Sequence, residues 1–392
     1  MSDFKNELEN NILSFWLRRM QDNEHGGFYG RIGGDGALYP QANKGAVLHA
    51  RILWTFAAAY RLLQKPAYRA AAQRAFDYIV DYFIDPACGG VYWELDYRGR
   101  PVNAKKQMYA QGFALYGFSE FYRATGNTKA LELAKEFFYL IEERRDRAAG
   151  GYLEAFTREW GVIEDMRLSS KDANEKKTMN THLHILEPYA SLCRVWDSPQ
   201  LRAAQRQLIA VFLDKIMNKS GHLDLFFDEA WNVKSSGVSY GHDIEASWLL
   251  WEAAEVLGEA PLLEQVKTRS LEIADAAAEG LQPDGSMIYE REGARIDSDR
   301  HWWVQAETVI GFLYAWKNSG NKAYPEKAAR AWRYIQNNLI DRSGGEWYWS
   351  RKASGSVNRA GDKAGFWKCP YHNSRMCMEI MEHFKDDVAM WR

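Results

Sequence analysis

Hydrophobic and polar positions recur along the chain with the period of α-helices, in six pairs of segments. The first segment of each pair has a single apolar face, which Ala71, Ala75 and Ile79 mark in the second pair. This pattern is typical of a helix with one face in the core and the other in solvent. These amphipathic helices are predicted at residues 4–21, 67–83, 128–145, 199–218, 261–279 and 323–340.

The second segment of each pair is apolar nearly all round. The clearest case runs from Ala46 to Tyr60. A helix that is apolar on most faces is buried on most sides, so each pair supplies one outer and one inner helix. The inner helices are predicted at residues 45–63, 107–124, 179–196, 242–257, 302–317 and 370–384.

A short string of glycine and aromatic or apolar residues lies between the two helices of every pair. The strings begin at Gly26, Gly89, Gly150, Gly221, Asp284 and Gly344, at intervals of 63, 61, 71, 63 and 60 residues. Regular spacing of this kind indicates an internal repeat, and each string suits a short extended segment. Six helix pairs predict an all-α fold, an (α/α)6 barrel with short β segments in the loops, in one domain spanning residues 1–392. An open α-solenoid is the alternative, but polar capping repeats are absent.

Charge and cysteine content exclude several classes of function. The net charge is −2 and the pI about 6.5, without a long block of like charges, so neither nucleic acid nor a membrane surface is an expected partner. No apolar run approaches the roughly 20 residues that cross a bilayer. The N-terminus is too charged for a signal peptide, and the four cysteines form no zinc pattern. We expect a cytoplasmic protein with reduced thiols, and the charge balance favours a monomer.

Aromatic residues are abundant, with 16 Trp and 21 Tyr. Such side chains fill cores, and they also form flat platforms for sugar rings. Composition alone favours neither interpretation. The stretch from Thr157 to Lys177 is long, polar and irregular, which is typical of a functional or mobile loop, and it is long enough to fold over a pocket.

Polar residues stand at the start of every inner helix. His242 and Glu245 lie three residues apart, so on a helix they share a face near the positive end of its dipole. Inner helices of a closed ring run parallel, so all six starts are expected to surround one pocket. A single buried histidine is more often a satisfied core residue, but six coincident positions favour a site. The six starts carry His49 and Arg51; Gln107, Tyr109 and Gln111; Asn180, His182 and His184; His242 and Glu245; His301, Trp302, Trp303 and Glu307; and Trp367, His372 and Arg375.

Two other kinds of site are possible for these residues. A metal would need ligands such as His184, His242, Glu245 and His372, but His182 and His184 diverge by about 200° on a helix and no HExxH run is present. We expect no metal. A glycosidase would need two suitably spaced carboxylates, for which the candidates are Asp172, Glu175, Asp243, Glu245 and Glu307. Imidazoles take and give protons near pH 7, so they favour proton transfer at carbon over glycosidic cleavage.

Five motifs resemble those of the cellobiose 2-epimerases, a family within the N-acylglucosamine 2-epimerase superfamily. They lie in order along nearly the whole chain, and the last is the longest and most specific. The motifs are residues 44–54, 177–184, 239–246, 302–307 and 367–379. The family fold is an (α/α)6 barrel, in agreement with the repeat count.

The resemblance implies a reaction without a cofactor. The reducing-end glucose of cellobiose or another β-1,4 disaccharide becomes mannose after its ring opens. A base removes the C2 proton, a cis-enediol(ate) forms, the C2–C3 bond rotates, and an acid protonates the opposite face. A monosaccharide 2-epimerase or an aldose–ketose isomerase is the alternative within the superfamily, and a non-catalytic sugar-binding barrel is the alternative outside it.

The resemblance also implies roles for individual residues. His372 matches the base that deprotonates glucose, and His242 the acid that returns the proton. His184 matches the group that moves a proton between O1 and O2, while Arg51 would stabilise the oxyanion. For the substrate, Trp303 matches the platform under the non-reducing sugar and Trp367 lies by the reducing sugar. The remaining predicted binding positions are Tyr109, Asn180, Glu245 and Asp172, together with Trp302 and Glu307, whose roles within their motif stay open.

Overall fold

Twelve helices form the framework of the computed structural model, which describes residues 2–385. The outer helices are α1 (Ser2–Asn6, Glu7–Leu13 and Ser14–Arg19, the middle stretch π-helical), α3 (Pro66–Tyr78, continued by Ile79–Phe83), α5 (Thr128–Glu143), α7 (Pro199–Val211, continued by Phe212–Ile216), α9 (Ala260–Ala277) and α11 (Ala323–Asn338). The inner helices are α2 (Ala46–Leu63), α4 (Met108–Thr125), α6 (Met179–Cys193), α8 (Tyr240–Leu257), α10 (Trp302–Ser319) and α12 (Tyr371–His383). The predicted helices are all confirmed, with ends that shift by a few residues.

The inner helices form a closed ring. Each packs against the next inner helix, and α12 packs against α2. Nearly every residue of the inner helices is buried, whereas the outer helices bury only the face toward the ring. This closure confirms the (α/α)6 barrel and excludes the open solenoid. Within residues 2–385, every helix is too short or too polar to cross a membrane.

Short strands connect neighbouring helix pairs. The strand before each inner helix pairs, antiparallel, with the strand after the next glycine-led string. A bridge between Ile32 and Ala364 closes the ring in the same way. The strands are β1 (Lys44–Gly45), β2 (Glu94–Leu95), β3 (Pro101–Asn103), β4 (Lys106–Gln107), β5 (Ala155–Phe156), β6 (Lys177–Thr178), β7 (Phe226–Phe227), β8 (Gly237–Ser239), β9 (Glu290–Glu292), β10 (Arg295–Asp297), β11 (Arg300–His301) and β12 (Ser350–Arg351).

One side chain in the first turns of each inner helix ties that helix to its own string. In five units this tie residue accepts a hydrogen bond directly from a backbone N–H of the string. In the sixth, Asn373 donates to Glu346, whose carboxylate accepts from the backbone N–H of Trp347. The tie residues are His49, Gln111, His182, Asp243, Gln305 and Asn373. His49 and His182 are therefore satisfied core histidines.

The polar loop between β5 and β6 is anchored over the starts of the inner helices. The Gln107 side chain donates hydrogen bonds to the carbonyls of Met166 and Arg167, and the Met166 side chain is buried. Asn174 accepts a hydrogen bond from the Met166 backbone N–H. These contacts hold the segment that carries Asp172 at the mouth of the barrel.

Candidate active site

The residues two positions after the six tie residues occupy the centre of the barrel. A step of two residues turns an α-helix by about 200°, so these side chains face away from the strings. They are Arg51, Phe113, His184, Glu245, Glu307 and Arg375, and all six are buried. The repeat therefore delivers two cations, two carboxylates, an imidazole and an aromatic ring to one place.

Arg51 lies in an aromatic enclosure. Its Nη2 donates a hydrogen bond of 2.8 Å to the Tyr109 hydroxyl, and its Nη1 lies 3.8 Å from the Cys369 sulfur. The guanidinium carbon lies 4.2 Å from the ring centre of Phe113 and 4.9 Å from that of Tyr371. Arg51 Nε is buried without a hydrogen-bond partner in the described part of the chain. The guanidinium thus keeps a donor available for a bound anion or hydroxyl.

His184 is backed by a carboxylate that the sequence analysis did not single out. Its Nδ1 lies 3.1 Å from Oε2 of Glu187, and Glu187 Oε1 accepts hydrogen bonds from Tyr371 and Arg375. Burial alone would raise the pKa of Glu187, but Arg375 and His184 lower it to about 2. The group behind His184 is therefore a carboxylate anion at neutral pH.

Arg375 links this carboxylate to two others. Its Nη2 donates to Glu245 at 2.8 Å and to Glu307 at 2.6 Å, and Glu307 Oε1 also lies 2.7 Å from Nδ1 of His372. Burial and the charge of Glu307 raise the pKa of Glu245 to about 8, so this carboxyl group is protonated at neutral pH. Burial also raises the pKa of Glu307, but the charge and hydrogen bond of Arg375 and the hydrogen bond of Trp248 oppose that rise. Glu245 Oε2 has no hydrogen-bond partner within residues 2–385.

This cluster is one of three groups of potential metal ligands within residues 2–385; the others are Asp297, Asp299 and His301, and Glu379, Glu382 and His383. Ligand atoms of Glu245, Glu307 and His372 lie within 4.8 Å of one another. The Arg375 guanidinium already binds both carboxylates, with the two distances given above. Because the Arg375 guanidinium lies between the two carboxyl groups, the donor set does not fit a divalent ion.

His242 and His372 both contact the indole of Trp303. The ring centre of Trp303 lies 4.8 Å from that of His242 and 5.5 Å from that of His372. His242 Nδ1 lies 2.8 Å from the Ser239 hydroxyl. Burial lowers the pKa of His242 to about 3 and that of His372 well below its usual range. Both imidazoles are therefore neutral at pH 7 and able to accept a proton.

A cavity of about 780 Å³ opens beside His242. The polar loop, including Asp172, forms one wall, and strands β8–β10 form another. Asn180 also lines it, and its buried Oδ1 has no hydrogen-bond partner in the described residues. Asp172 Oδ2 accepts hydrogen bonds from the Ser169 backbone and hydroxyl, both at 2.8 Å. A second groove, of about 950 Å³, is lined mostly by residues of α5 and α7 and contains none of the predicted site residues.

The two remaining tryptophans differ in their surroundings. The Trp367 ring centre lies 5.9 Å from that of Trp93 and 6.1 Å from that of Tyr109, on the Arg51 side of the site. Trp302 is buried against Trp349, with ring centres 4.6 Å apart, and the Lys368 ammonium lies 5.0 Å from its ring. These contacts give Trp302 a supporting position, whereas Trp367 borders the groups at the centre.

Contacts between neighbours join all six inner helices at the predicted site. The chain of contacts runs from Arg51 through Tyr109, His184 and Glu187 to Arg375, and from there to Glu245, Glu307 and His372. Sequence reasoning missed Phe113, Glu187, Cys369 and Tyr371. Two of these carried a signal, since Phe113 shares the spacing of Arg51 and His184 relative to the tie residues, and Glu187 lies three residues after His184 on one helix face.

Known proteins resemble this chain over nearly its whole length. The sequence profile of the N-acylglucosamine 2-epimerase (GlcNAc 2-epimerase) family matches residues 27–374. A cellobiose 2-epimerase of Bacteroides fragilis is 54% identical over 97% of this chain and 98% of its own, and one of Ruminococcus albus is 37% identical over the same shares. The structure of cellobiose 2-epimerase from Bacillus thermoamylovorans, 40% identical, superposes with a TM-score of 0.94 over 97% of this chain and 98% of its own. The chain therefore belongs to the N-acylglucosamine 2-epimerase family.

Proposed function

We propose that the protein is a 2-epimerase that converts the reducing-end glucose of cellobiose and related β-1,4 disaccharides to mannose without a cofactor. The observation that carries this proposal is the pair of neutral imidazoles, His242 and His372, which both contact the ring of Trp303. They come from α8 and α12, which are separated by α10, so they can approach one carbon from two faces. The relatives described above, which bear the name cellobiose 2-epimerase, support the choice of substrate.

In the proposed reaction the sugar ring opens first, because only the open aldehyde makes the C2 hydrogen acidic. His372 takes the C2 proton, and the electron pair moves to O1 to give an enediolate. His242 is neutral at rest and takes its proton from the O1 hydroxyl as the ring opens, while a water molecule protonates the ring oxygen. After rotation about the C2–C3 bond, His242 delivers this proton to the opposite face, and the imidazolium of His372 returns its proton to the hydroxide left by that water. The negative intermediate raises the proton affinity of the nearby imidazoles, which opposes the effect of burial.

Glu307 prepares His372 for the role of base. Its carboxylate accepts from Nδ1–H of His372, which leaves the lone pair of Nε2 free to take a proton. Trp248 donates to the second oxygen of Glu307 at 3.0 Å and Arg375 to the first. Three donors hold the carboxylate in one orientation, so the imidazole plane is fixed as well.

Arg51 and His184 act at the oxygens. The free donor of Arg51 stabilises the negative charge that develops on O1 or O2, and the Tyr109 bond holds the guanidinium in place. His184 moves a proton between these oxygens, with the Glu187 carboxylate stabilising its charged form. The buried surroundings strengthen both effects, because charges interact more strongly away from water.

Binding of the disaccharide rests on the aromatic rings and on the polar groups of the cavity. Trp303 lies under the non-reducing sugar and Trp367 beside the reducing sugar. Glu245 donates from its protonated carboxyl to a sugar hydroxyl, and Asn180 and Asp172 bind further hydroxyls. Trp302 supports this surface from behind. A single domain over residues 1–392, a monomeric state and a cytoplasmic location stay predictions.

Substitution of either imidazole tests the proposal. His242→Ala and His372→Ala are each expected to lower kcat for cellobiose by about 10²-fold to 10⁴-fold, which is the usual contribution of a general acid or base. Circular dichroism should show an unchanged helical fold in both variants. His383→Ala, which removes an imidazole from α12 outside the site, serves as the control. Near-normal turnover in either test variant would remove that residue from the mechanism.

A further inference from the structure

The helix that carries His242 is tied to its string differently from the other five inner helices. The other tie residues carry no charge: some are amides, such as Gln305, and others are histidines, such as His49, whose pKa is lowered by burial. They form hydrogen bonds with backbone groups or with a side chain of the string. The fourth unit has Asp243 at this position. In five of the strings, one backbone N–H donates to the tie residue. In the first three units the residue before this donor is a glycine, whereas in the fourth unit it is His222.

Asp243 and His222 form a buried, hydrogen-bonded pair. His222 Nδ1 lies 2.7 Å from Oδ2 of Asp243, and the Leu223 backbone N–H donates to Oδ1 at 2.9 Å. His222 Nε2 lies 3.4 Å from the carboxylate of Glu279, which in turn lies 3.7 Å from Arg291. Although burial lowers the pKa of His222, the hydrogen bond and charge of Asp243 and the charge of Glu279 raise it above its usual value. Each carboxylate oxygen of Asp243 therefore lies within hydrogen-bond distance of one of these groups, the His222 ring or the Leu223 backbone N–H.

The first turn of α8 is also enclosed on its other sides. A Cβ at Gly241 would lie 2.7 Å from the Trp303 ring, so the backbone of this turn packs directly against the proposed sugar platform. The Tyr240 ring fills the space beside Gly280, where a Cβ would lie 2.5 Å away. His242 thus stands on a turn that packs against Trp303 on one side and is bonded to His222 and Leu223 on another.

We infer that His222 and Asp243 are positioning residues for His242, holding it at the distance from C2 at which it can protonate the enediolate. The inference rests on the proposed function. Charge-assisted hydrogen bonds are about twice as strong as neutral ones. Such bonds to Asp243 would hold the first turn of α8 in place, and a displacement of that turn would affect proton delivery by His242. An imidazole moved by about 1 Å loses on the order of 10²-fold in rate. The imidazoles of His184 and His372 lie on other helices. The pair of His222 and Asp243 therefore affects the proton transfer between C2 and His242, and not the one between C2 and His372.

This asymmetry gives the inference its test. His222→Leu removes the donor to Asp243, and Asp243→Asn replaces the charged tie by a neutral one of the kind found in the sixth unit. Each variant is assayed with cellobiose and with its glucosyl-mannose product, both with and without deuterium at C2. If the transfer at His242 becomes slower, removal of the C2 proton by His372 no longer limits the rate with cellobiose, so the isotope effect on kcat/KM falls towards unity. With the glucosyl-mannose disaccharide, His242 itself removes the C2 proton, so the isotope effect rises. Turnover should fall by about tenfold to 10²-fold.

His49→Leu provides the matched control, because it removes the corresponding tie from α2, which carries no proton donor to carbon. It should lower the melting temperature without changing the ratio of the two isotope effects. If His222→Leu does not fold, Asp243→Asn decides. An unchanged ratio in the folded variants would overturn the inference while leaving the proposed function standing. Failure of the unmodified protein to interconvert the two disaccharides would instead overturn the proposed function, and the inference with it.

Discussion

At the scale of single residues, each proposed acid or base has a different neighbour behind it. His372 is backed by Glu307 and His184 by Glu187, whereas the hydrogen-bond partner of His242 within residues 2–385 is the neutral hydroxyl of Ser239. A carboxylate stabilises the imidazolium form and a hydroxyl does not. The arrangement therefore favours His372 as the group that takes a proton from the glucose epimer and His242 as the group that gives one up.

The pH profile tests the protonation states of this site. The lowered pKa values of His242 and His372 keep both imidazoles neutral well below pH 6.5, the usual pKa of histidine. We expect kcat/KM for cellobiose to stay level between about pH 7.5 and pH 6. On the alkaline side it should fall around pH 8, where Glu245 loses the proton that it donates to the sugar.

Initial rates at constant ionic strength, with the fold monitored at each pH, give this profile. Glu245→Gln, which cannot ionise, should weaken binding and remove the alkaline decline. A decline centred near pH 6.5 would mean that an ordinary histidine controls the reaction, in contradiction to the buried environments described here.

The sequence predicted most residues of the site because the repeat places them at equivalent positions. Arg51, His184 and Glu245 could be recognised as polar side chains on buried helices. Separating His182, which only ties α6 to its string, from His184 required knowing which face looks inward. The partners of these groups could not be assigned in advance, since Glu187 and Arg375 meet across helices α6 and α12, 188 residues apart.

At the scale of elements, the bend in α6 shapes the site. His184 has backbone angles outside the helical range, φ −89° and ψ 15°. Pro188, four residues later, has no N–H to donate to the His184 carbonyl, which explains the irregularity. That carbonyl oxygen approaches α4 at Gly112, where a Cβ would lie only 2.4 Å from it. The absence of a side chain at Gly112 thus allows α4 and α6 to bring Tyr109 and His184 together.

Gly112→Ala tests this close approach. The added methyl group must push α6 away from α4, because the opposing atom belongs to the backbone and cannot rotate aside. We expect a loss of about 1–3 kcal/mol in the free energy of unfolding and a lower kcat. Urea denaturation and steady-state kinetics provide the two measurements.

Gly117→Ala on the same helix is the matched control. There the nearest atoms lie 3.0 Å away and one of them belongs to the Leu53 side chain, so a smaller loss and a normal kcat are expected. Equal effects of the two substitutions would contradict the role given to the contact between Gly112 and α6.

Helix positions were predictable from periodicity, but the connections between units were not. Two- and three-residue strands such as β6 and β7 leave little signal, because their pairing depends on which string lies beside them in space. The π-helical stretches, such as Ile79–Phe83, were likewise read as ordinary helix because they keep the apolar pattern of the helix that they continue.

At the scale of the whole molecule, closing the ring builds the site. Trp16 in α1 donates to Glu346 at 2.7 Å, joining the first unit to the last across 330 residues. Arg51 of α2 then lies against Tyr371 of α12. Neither half of the chain contains all the proposed groups, so epimerisation requires the complete barrel.

The most direct test of the central claim is incubation of the protein with cellobiose in D2O, followed by proton NMR. The proposed mechanism predicts a glucosyl-mannose product that carries deuterium at C2 and an unchanged rate when EDTA is present. Free glucose would indicate a hydrolase instead, and conversion of glucose or mannose alone would indicate a monosaccharide enzyme. Cellobiose recovered without any product or deuterium at C2 would contradict proton transfer between His372, His242 and this substrate.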